Sequence, residues 1–492
     1  MKDVKEKTQS PSLRNYEAGL KDWIGQEKAA IELINIVGKL WYDRSVELVI
    51  FRQQLVDRSS SVILNHHLYA QNIVKQPITI FDTLLLATEI SKLEIAPSRI
   101  DIGKLSSEWL KGKENYRNGA DFISHKLYNF IGKDKRTMIP KDVVLYGFGR
   151  IGRIIARELI TQAGKGEQLR LRAIVTRSNS NDDISKRAEL LRSDSVHGPF
   201  PGTVTEDFEN KTLIVNGHSI LMLAGNKPDE IDYEAYGIKD SLLIDNTGAW
   251  RDRAGLSEHL KAKGVGKVLL TAPGKGDIPN IVHGINHTAY NADEKIFSAA
   301  SCTTNAITPV LSVIDNELGI VKGHVETIHA YTNDQNLLDN YHNKSRRGRS
   351  AVLNMVITET GAGKAVTKVL PQLEGKITGN AVRVPVPDVS LAILNLTLKK
   401  DTTAEEVNET LRHAALYGNL IEQIQYSSSS ELVSSDLIGN SCACVIDSPS
   451  TIVSNDKRSV VIYAWYDNEY GYCKQVMRFA KQIADVIRLT YY

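Results

Sequence analysis

Long apolar runs are missing from this chain of 492 residues: the longest unbroken one, residues 460–466, has a strand's length, whereas a membrane-spanning helix needs about 20 such residues. The polar opening Met1-Lys-Asp-Val-Lys-Glu-Lys leads to no apolar secretory stretch, so a cytoplasmic protein is expected. Cysteine is scarce. Cys302, Cys442, Cys444 and Cys473 lack metal-site spacing and are too few for a disulfide framework in a chain this long, which fits a reducing compartment. Neither sign of charge is in surplus, with 60 Lys plus Arg against 58 Asp plus Glu. Without a global basic field, neither nucleic acid nor an anionic membrane is expected as a partner. No period of about 20 to 50 residues recurs, and the serine run 427–430 is too short for a linker. What is present is the balance of an ordinary globular protein, 42% hydrophobic and 24% charged, at a length that calls for two or three domains.

Residues 15–60 place Leu20, Trp23, Ile24, Ile31, Ile34 and Trp41 roughly on one helical face, and segments 80–93 and 118–131 also have helical texture, separated by the breaker Ile95-Ala-Pro-Ser-Arg. Residues 1–138 are therefore expected to form an all-helical N-terminal domain. From Lys141 the texture changes. Val143-Val-Leu-Tyr is a short strand followed by glycines and a helical run over 151–163. Leu171-Arg-Ala-Ile-Val, Ser241-Leu-Leu-Ile-Asp and Lys267-Val-Leu-Leu-Thr follow as strands of the same parallel sheet, with helical stretches such as 255–262 between them. This alternation predicts a doubly wound α/β fold.

Gly147-Phe-Gly-Arg-Ile-Gly152 lies between the first strand and its helix, where glycines allow a tight turn and close approach of backbone to a pyrophosphate; the plainer alternative is a simple strand-to-helix turn. The second strand ends Val175-Thr-Arg-Ser-Asn, without the acidic residue that commonly receives the adenosine ribose. Arg177 could instead meet a 2′-phosphate, or be a solvated surface charge. Ser301-Cys302-Thr-Thr-Asn-Ala-Ile opens an apolar helical run, so Cys302 is expected at a helix N-terminus, where a thiolate is stabilised. His329, in Glu326-Thr-Ile-His-Ala, is the candidate base. Taken singly, such a cysteine is often a small core residue and such a histidine a satisfied hydrogen-bonding one.

Ala300-Ser-Cys-Thr-Thr-Asn, Gly147-Phe-Gly-Arg-Ile-Gly-Arg and Trp465-Tyr-Asp-Asn-Glu-Tyr-Gly-Tyr, in that composition and spacing, resemble the hallmarks of the phosphorylating glyceraldehyde-3-phosphate dehydrogenase family over residues 140–490; the first 138 lie outside the resemblance. The resemblance implies a Rossmann-type NAD(P)-binding domain over 139–300, completed by a C-terminal helix over 470–492, and an α+β catalytic domain over 301–469. It implies that Cys302 attacks the aldehyde, that His329 takes the proton as hydride leaves for the nicotinamide, and that inorganic phosphate releases an acyl phosphate from the Cys302 thioester. The Cys302 N–H and His329 would steady the oxyanion. Thr332, Asp334 and Arg383 resemble the subsite for the substrate's phosphate. Ser301, Thr303, Arg347, Thr360 and Gly361 resemble that for the attacking phosphate, although Arg346, Arg347 and Arg349 could also be a solvated basic loop.

For the cofactor, the resemblance implies Gly147, Gly149, Arg150, Ile151, Gly152, Arg177, Thr247, Gly248 and Thr271, with Asn468 orienting the nicotinamide carboxamide and Tyr472 backing it. No metal is expected, and no chemistry is assigned to Cys442, Cys444 or Cys473. Departures from the family pattern are Tyr146 before the glycine turn, Ala306 in place of a second cysteine, and Asn340-Tyr341 in place of a Leu-Pro pair. The last, with Arg177, leans the NAD-or-NADP choice toward NADP. A homotetramer acting in glycolysis or gluconeogenesis is the expected setting. The alternatives are an erythrose-4-phosphate dehydrogenase, and a regulatory or scaffold protein acting through its helical extension. In that extension Leu20, Trp23, Trp41 and Trp109 could form a core, a docking face or a partner surface.

Overall fold

The structure is a computed structural model and describes residues 11–132, 138–359 and 361–492. It divides into two units, Met1–Thr137 with Arg488–Tyr492, and Met138–Ile487.

In the first unit the helices Ile80–Lys92 and Gly119–Lys126 fall on segments expected to be helical. Residues 15–60, expected to hold two or three amphipathic helices, hold the single helix Pro11–Arg44 followed by strands, and the helices Ser60–Val74 and Ile102–Gly112 were not foreseen. The unit is not helical throughout, which corrects the sequence expectation. A four-stranded sheet runs in the order Gln53–Gln54, Val46–Ile50, Ser98–Asp101, Leu489–Tyr491. Two physical reasons hid it. Val46–Ile50 is buried at every position, and a strand covered on both faces shows no alternation to tell it from a helix. Its sheet is completed by Leu489–Tyr491, parallel to Ser98–Asp101, a partner nearly four hundred residues away that no local pattern reports. Asp101 ties the sheet to the helices: its carboxylate accepts the N–H groups of Phe51 (2.8 Å), Arg52 (3.1 Å) and Lys104 (3.0 Å). It thereby caps the helix Ile102–Gly112 and holds the turn in which Phe51 and Arg52 have positive φ. Trp41 is buried among Leu33, Leu48, Ile63 and Phe122, with the Arg488 guanidinium 4.4 Å over its ring. Trp109 packs against Phe122 at 5.3 Å. Leu20 and Trp23 stand exposed instead, so the expected face is split between core and surface.

In the second unit an eight-stranded sheet runs Ile296–Ser298, Val265–Leu270, Ser241–Asp245, Lys141–Tyr146, Leu169–Thr176, His218–Ala224, Thr212–Val215, Val204–Asp207. The first six are mutually parallel, and the last two are joined on through antiparallel pairings. From Lys141–Tyr146 the chain winds to one side and then returns to the other, so the crevice at that strand's C-terminal end is the switch point where such sheets bind ligands. The C-terminal helix ends at Ile483, and the last five residues belong to the first unit.

The other eight-stranded sheet is mixed. Its centre is Ile320–Ala330, parallel to Ile377–Val384 and antiparallel to Ser390–Leu398, with Ser459–Tyr466 beyond. The helices Cys302–Leu318, Ala362–Val369 and Ala404–Leu416 accompany it. Among the described residues no helix is long and apolar enough to cross a membrane.

Candidate active site

The glycine turn is built as its spacing suggests. Gly147 has φ +93°, and a Cβ there would lie 2.8 Å from Thr247 Cγ2; a Cβ on Gly152 would lie 2.5 Å from the Gly147 carbonyl oxygen. Both positions therefore exclude a side chain. Gly149 has nothing within 4 Å, and no side chain caps the helix Arg150–Thr161 that it opens. The first N–H groups of that helix, including those at Arg150 and Ile151, are left for an anion. The Arg150 guanidinium is engaged elsewhere, with Asp194 at 3.0 and 3.1 Å and with Glu469, so only its backbone is on offer. Thr247 bonds Asp245 through both N–H and hydroxyl at 2.7 Å, Gly248 has φ +62°, and the Thr271 hydroxyl bonds Asn246 at 3.1 Å. Asn246, absent from the sequence reading, in turn reaches the Gly147 carbonyl at 3.4 Å. Arg177 is exposed just past the second strand.

Cys302 is the first residue of its helix, and Ser301 caps it by accepting the Thr304 N–H at 3.1 Å. The preceding Ala300 has φ +55°, a conformation that costs a non-glycine residue on the order of 1–3 kcal/mol and that turns the chain sharply from strand to helix. The Tyr472 hydroxyl donates to the Ala300 carbonyl at 3.0 Å, so Tyr472 backs the site by holding this turn. Helix Cys302–Leu318 spans about 26 Å at 1.5 Å per residue, and the strand Ile320–Ala330 returns over about 36 Å at 3.3 Å per residue. The returning strand is long enough to bring His329 back to the helix start, with His329 Nε2 at 3.6 Å from Cys302 Sγ.

Strand register sets Arg383 directly beside His329. The Ala330 carbonyl accepts from Arg383 Nη1 at 2.8 Å and lies 2.7 Å from His329 Nδ1; with the proton on Nδ1, the Nε2 lone pair faces the sulfur. Arg383 Nη1 is also 2.7 Å from Nδ1, and donation there would place the ring proton on Nε2, facing a thiolate. Burial, then the charges of Arg383 and Arg347, hold the imidazole's pKa down at about 3, so it is neutral at pH 7. Burial pushes the Cys302 thiol up, against the pull of Arg383 and of the Thr303 and Cys302 N–H groups. Burial thus favours the neutral forms of both groups and works against the charge stabilisation that a helix N-terminus gives a thiolate. Thr303 bonds the Tyr466 hydroxyl at 3.0 Å, and the Tyr466 ring stands 6.0 Å from His329.

The two expected anion sets share one region. Asp334 is ion-paired with Arg347 and bonds Lys344 at 3.1 Å; burial opposes its charge, but these two cations hold its carboxyl below the usual range. Arg347 also meets Thr358 at 3.2 Å. Asp334 thus grips the arginine of the other set, away from Arg383, which stands at His329. Thr332 supplies its carbonyl to the Gln335 N–H at 2.9 Å. A cleft of about 630 Å³ opens beside them, lined by Lys344, Arg346, Arg347, Thr358, Gly361 and Asn380. The solvated-loop alternative fits Arg349, which is exposed and paired with Asp339, and not the half-buried Arg347. Thr360 lies outside the described residues.

Asn468 is buried, and its Oδ1 accepts the Ser390 hydroxyl at 2.6 Å. Behind it lies a group that sequence reading missed. Asp388 is held well above the carboxylate range by burial and by the Asp467 and Glu469 charges. His197, Asp388 and Glu469 bring potential ligand atoms within 4.8 Å of one another. Glu469 already carries Arg150 on both oxygens and His197 at 3.0 Å, so this cluster is matched by a guanidinium.

The Rossmann sheet with its glycine turn, joined to a second sheet that presents the cysteine–histidine pair, defines a nicotinamide-dinucleotide oxidoreductase. Residues 141–253 match the family model described as "Glyceraldehyde 3-phosphate dehydrogenase, NAD binding domain", and residues 301–468 that described as "Glyceraldehyde 3-phosphate dehydrogenase, C-terminal domain". The chain belongs to the glyceraldehyde-3-phosphate dehydrogenase family. It is 51% identical over 457 residues, 92% of this chain and 98% of the relative, to a "Glyceraldehyde-3-phosphate dehydrogenase-like protein" of Pseudomonas aeruginosa (strain UCBPP-PA14). It is 39% identical to the glyceraldehyde-3-phosphate dehydrogenase of Zymomonas mobilis over 70% of this chain and 99% of that one, and 42% identical to the chloroplastic A enzyme of Zea mays over 75% and 88%. At 92% coverage the Pseudomonas match takes in most of the N-terminal unit as well.

Proposed function

We propose that the chain is a phosphorylating glyceraldehyde-3-phosphate dehydrogenase that oxidises glyceraldehyde 3-phosphate, with NAD or NADP and inorganic phosphate, to 1,3-bisphosphoglycerate through a thioester on Cys302. The observation that carries this is the 3.6 Å approach of His329 Nε2 to Cys302 Sγ at the start of a helix. A neutral imidazole takes the thiol proton as sulfur bonds the aldehyde carbon. The thiohemiacetal oxygen then faces the Cys302 N–H and the protonated Nε2. A dinucleotide whose pyrophosphate lies at the turn that Gly149 leaves open would supply its nicotinamide as the hydride acceptor. His329 keeps that thiol proton as hydride leaves the oxyanion and the thioester forms. Arg347, in the basic cleft, binds the phosphate that attacks the thioester, and Arg383 beside His329 binds the substrate's phosphate.

Arg177, exposed where an acid is absent, supports NADP use. The exposed apolar side chains of Leu337, Leu338, Leu353 and Met355, in the stretch that follows His329, support assembly into a homotetramer through that stretch. The test is NADH and NADPH formation from glyceraldehyde 3-phosphate, with and without inorganic phosphate, for the protein and Cys302→Ser. Phosphate-dependent turnover lost in the variant is the expected result, and turnover indifferent to either change would sink the proposal.

A further inference from the structure

The helix Pro11–Arg44 is 34 residues long, and its second half carries the residues that enter the core of the N-terminal unit. Residues 15–24 are exposed at every position, so about three turns stand clear of the packing that Leu33, Val37 and Leu40 make further along. At about 100° per residue, Tyr16, Leu20, Trp23, Ile24 and Ile31 fall on one arc, less than about a third of the circumference wide, beside that core face. They are 44–66% exposed. Glu27 shares the arc, and its carboxylate is taken by the Ser60 hydroxyl. Helix residues that gain nothing from packing, with Gly19 and Gly25 in or beside them, are weakly helical by themselves. A partner laid along the apolar stripe would supply the missing packing.

The stripe reads the same in both directions. Positions 16, 20, 23, 24, 27 and 31 map onto themselves when the helix is reversed: Tyr16 onto Ile31, Leu20 onto Glu27 and Trp23 onto Ile24. A two-fold interface needs that property, because one patch meets its own copy. Charge sets the direction. Glu17 and Lys28 lie on the same flank of the stripe, and in an antiparallel pair like flanks face each other, so Glu17 of each copy meets Lys28 of the other. In a parallel pair both would face the flank of Gly19 and Gln26, which has no charge. Off the stripe, Glu17, Lys21, Asp22, Lys28 and Glu32 mix both signs, unlike the basic face that lays a helix on a membrane. The five apolar side chains offer on the order of 500 Å² per copy, and a pair about 1,000 Å², the lower bound of a specific interface.

We propose that the helix Pro11–Arg44 is a dimerisation element, pairing antiparallel with the same helix of a second copy of this chain through Tyr16, Leu20, Trp23, Ile24 and Ile31.

The experiment joins residues 17 and 28. The full chain carrying Glu17→Cys and Lys28→Cys, with Cys302→Ser to remove the thiol that is not fully buried, is treated with a short bismaleimide, and the linked peptides are mapped by mass spectrometry. Along one helix the two positions are about 17 Å apart, beyond the reagent's reach, so a 17-to-28 link has to join two copies. The expected result is a dimer on a denaturing gel in which that link predominates. Adding Leu20→Glu, which sets a carboxylate against Glu27 of the other copy, should cut the yield at least about tenfold. Because Leu20 lies outside the core, the melting temperature should not change. Amide exchange over residues 15–24 should be slow in the unmodified protein and fast in Leu20→Glu. A control thiol from Asp22→Cys, on the far side of the helix, should give no link. None of these readouts depends on catalysis. Links of 17 to 17 and 28 to 28, a yield no higher than the control's, or slow exchange at 15–24 that Leu20→Glu leaves in place would each overturn the proposal.

Discussion

Replacing His329 by glutamine separates the contribution of the base from that of the helix end. Burial raises the Cys302 thiol above its usual value of 9.0, so an unassisted thiol is ionised in fewer than about one molecule in a hundred at pH 7, and each pH unit gained raises that fraction tenfold. With His329 in place, an imidazole whose pKa is depressed to about 3 remains a competent acceptor throughout pH 7–9, and thiol reactivity should be nearly flat there. The sign is fixed by the depressed value: protonation of the base begins to cost reactivity only far below pH 7. In His329→Gln the rate should fall about a hundredfold at pH 7, within the range of a lost general base, and recover tenfold per unit until the two profiles meet near pH 9. The assay is alkylation by iodoacetamide followed by mass spectrometry. It reports on one thiol, because Cys442, Cys444 and Cys473 are buried and Cys302 is not fully so. Parallel profiles for the two proteins would refute the reasoning, as would an unmodified protein whose rate climbs tenfold per unit.

Gly149→Ala should melt like the unmodified protein, since its Cβ meets nothing within 4 Å, yet bind NAD at least about tenfold more weakly by blocking the pyrophosphate's approach; Gly152→Ala, with 2.5 Å to a carbonyl, should lose both binding and stability in calorimetry. Arg177→Ala should raise KM for NADP by about an order of magnitude, as expected for a lost charge-assisted phosphate contact, and leave KM for NAD within twofold or so. Removing residues 488–492 takes away a strand and the cation over Trp41, and should lower the melting temperature read from tryptophan fluorescence.

The cofactor turn was legible because its demands are local: Gly147 and Gly152 sit where backbone approaches backbone, and the motif's position between strand and helix already says so. Cys302 and His329 were legible through a motif and not through spacing, since their meeting depends on a helix and on the strand that returns along it. What lay beyond the sequence shares a common character. The Asp334–Arg347 ion pair crosses from one expected subsite to the other, Asp388 is raised above the carboxylate range by its burial and by the convergence of Asp467 and Glu469, and the strain at Ala300 is a property of φ that no residue type announces. The sheet of the N-terminal unit joins residues from both ends of the chain, and its strand Val46–Ile50 is buried at every position. Local propensity and period carry information about neither.

The most direct test of the central claim is the intact mass of the protein after mixing with glyceraldehyde 3-phosphate and NAD or NADP in the absence of phosphate. The account predicts one phosphoglyceroyl group per chain, mapped to Cys302, absent from Cys302→Ser and released as acyl phosphate when inorganic phosphate is added. Reduced cofactor without any adduct, or an adduct that phosphate leaves in place, would contradict it.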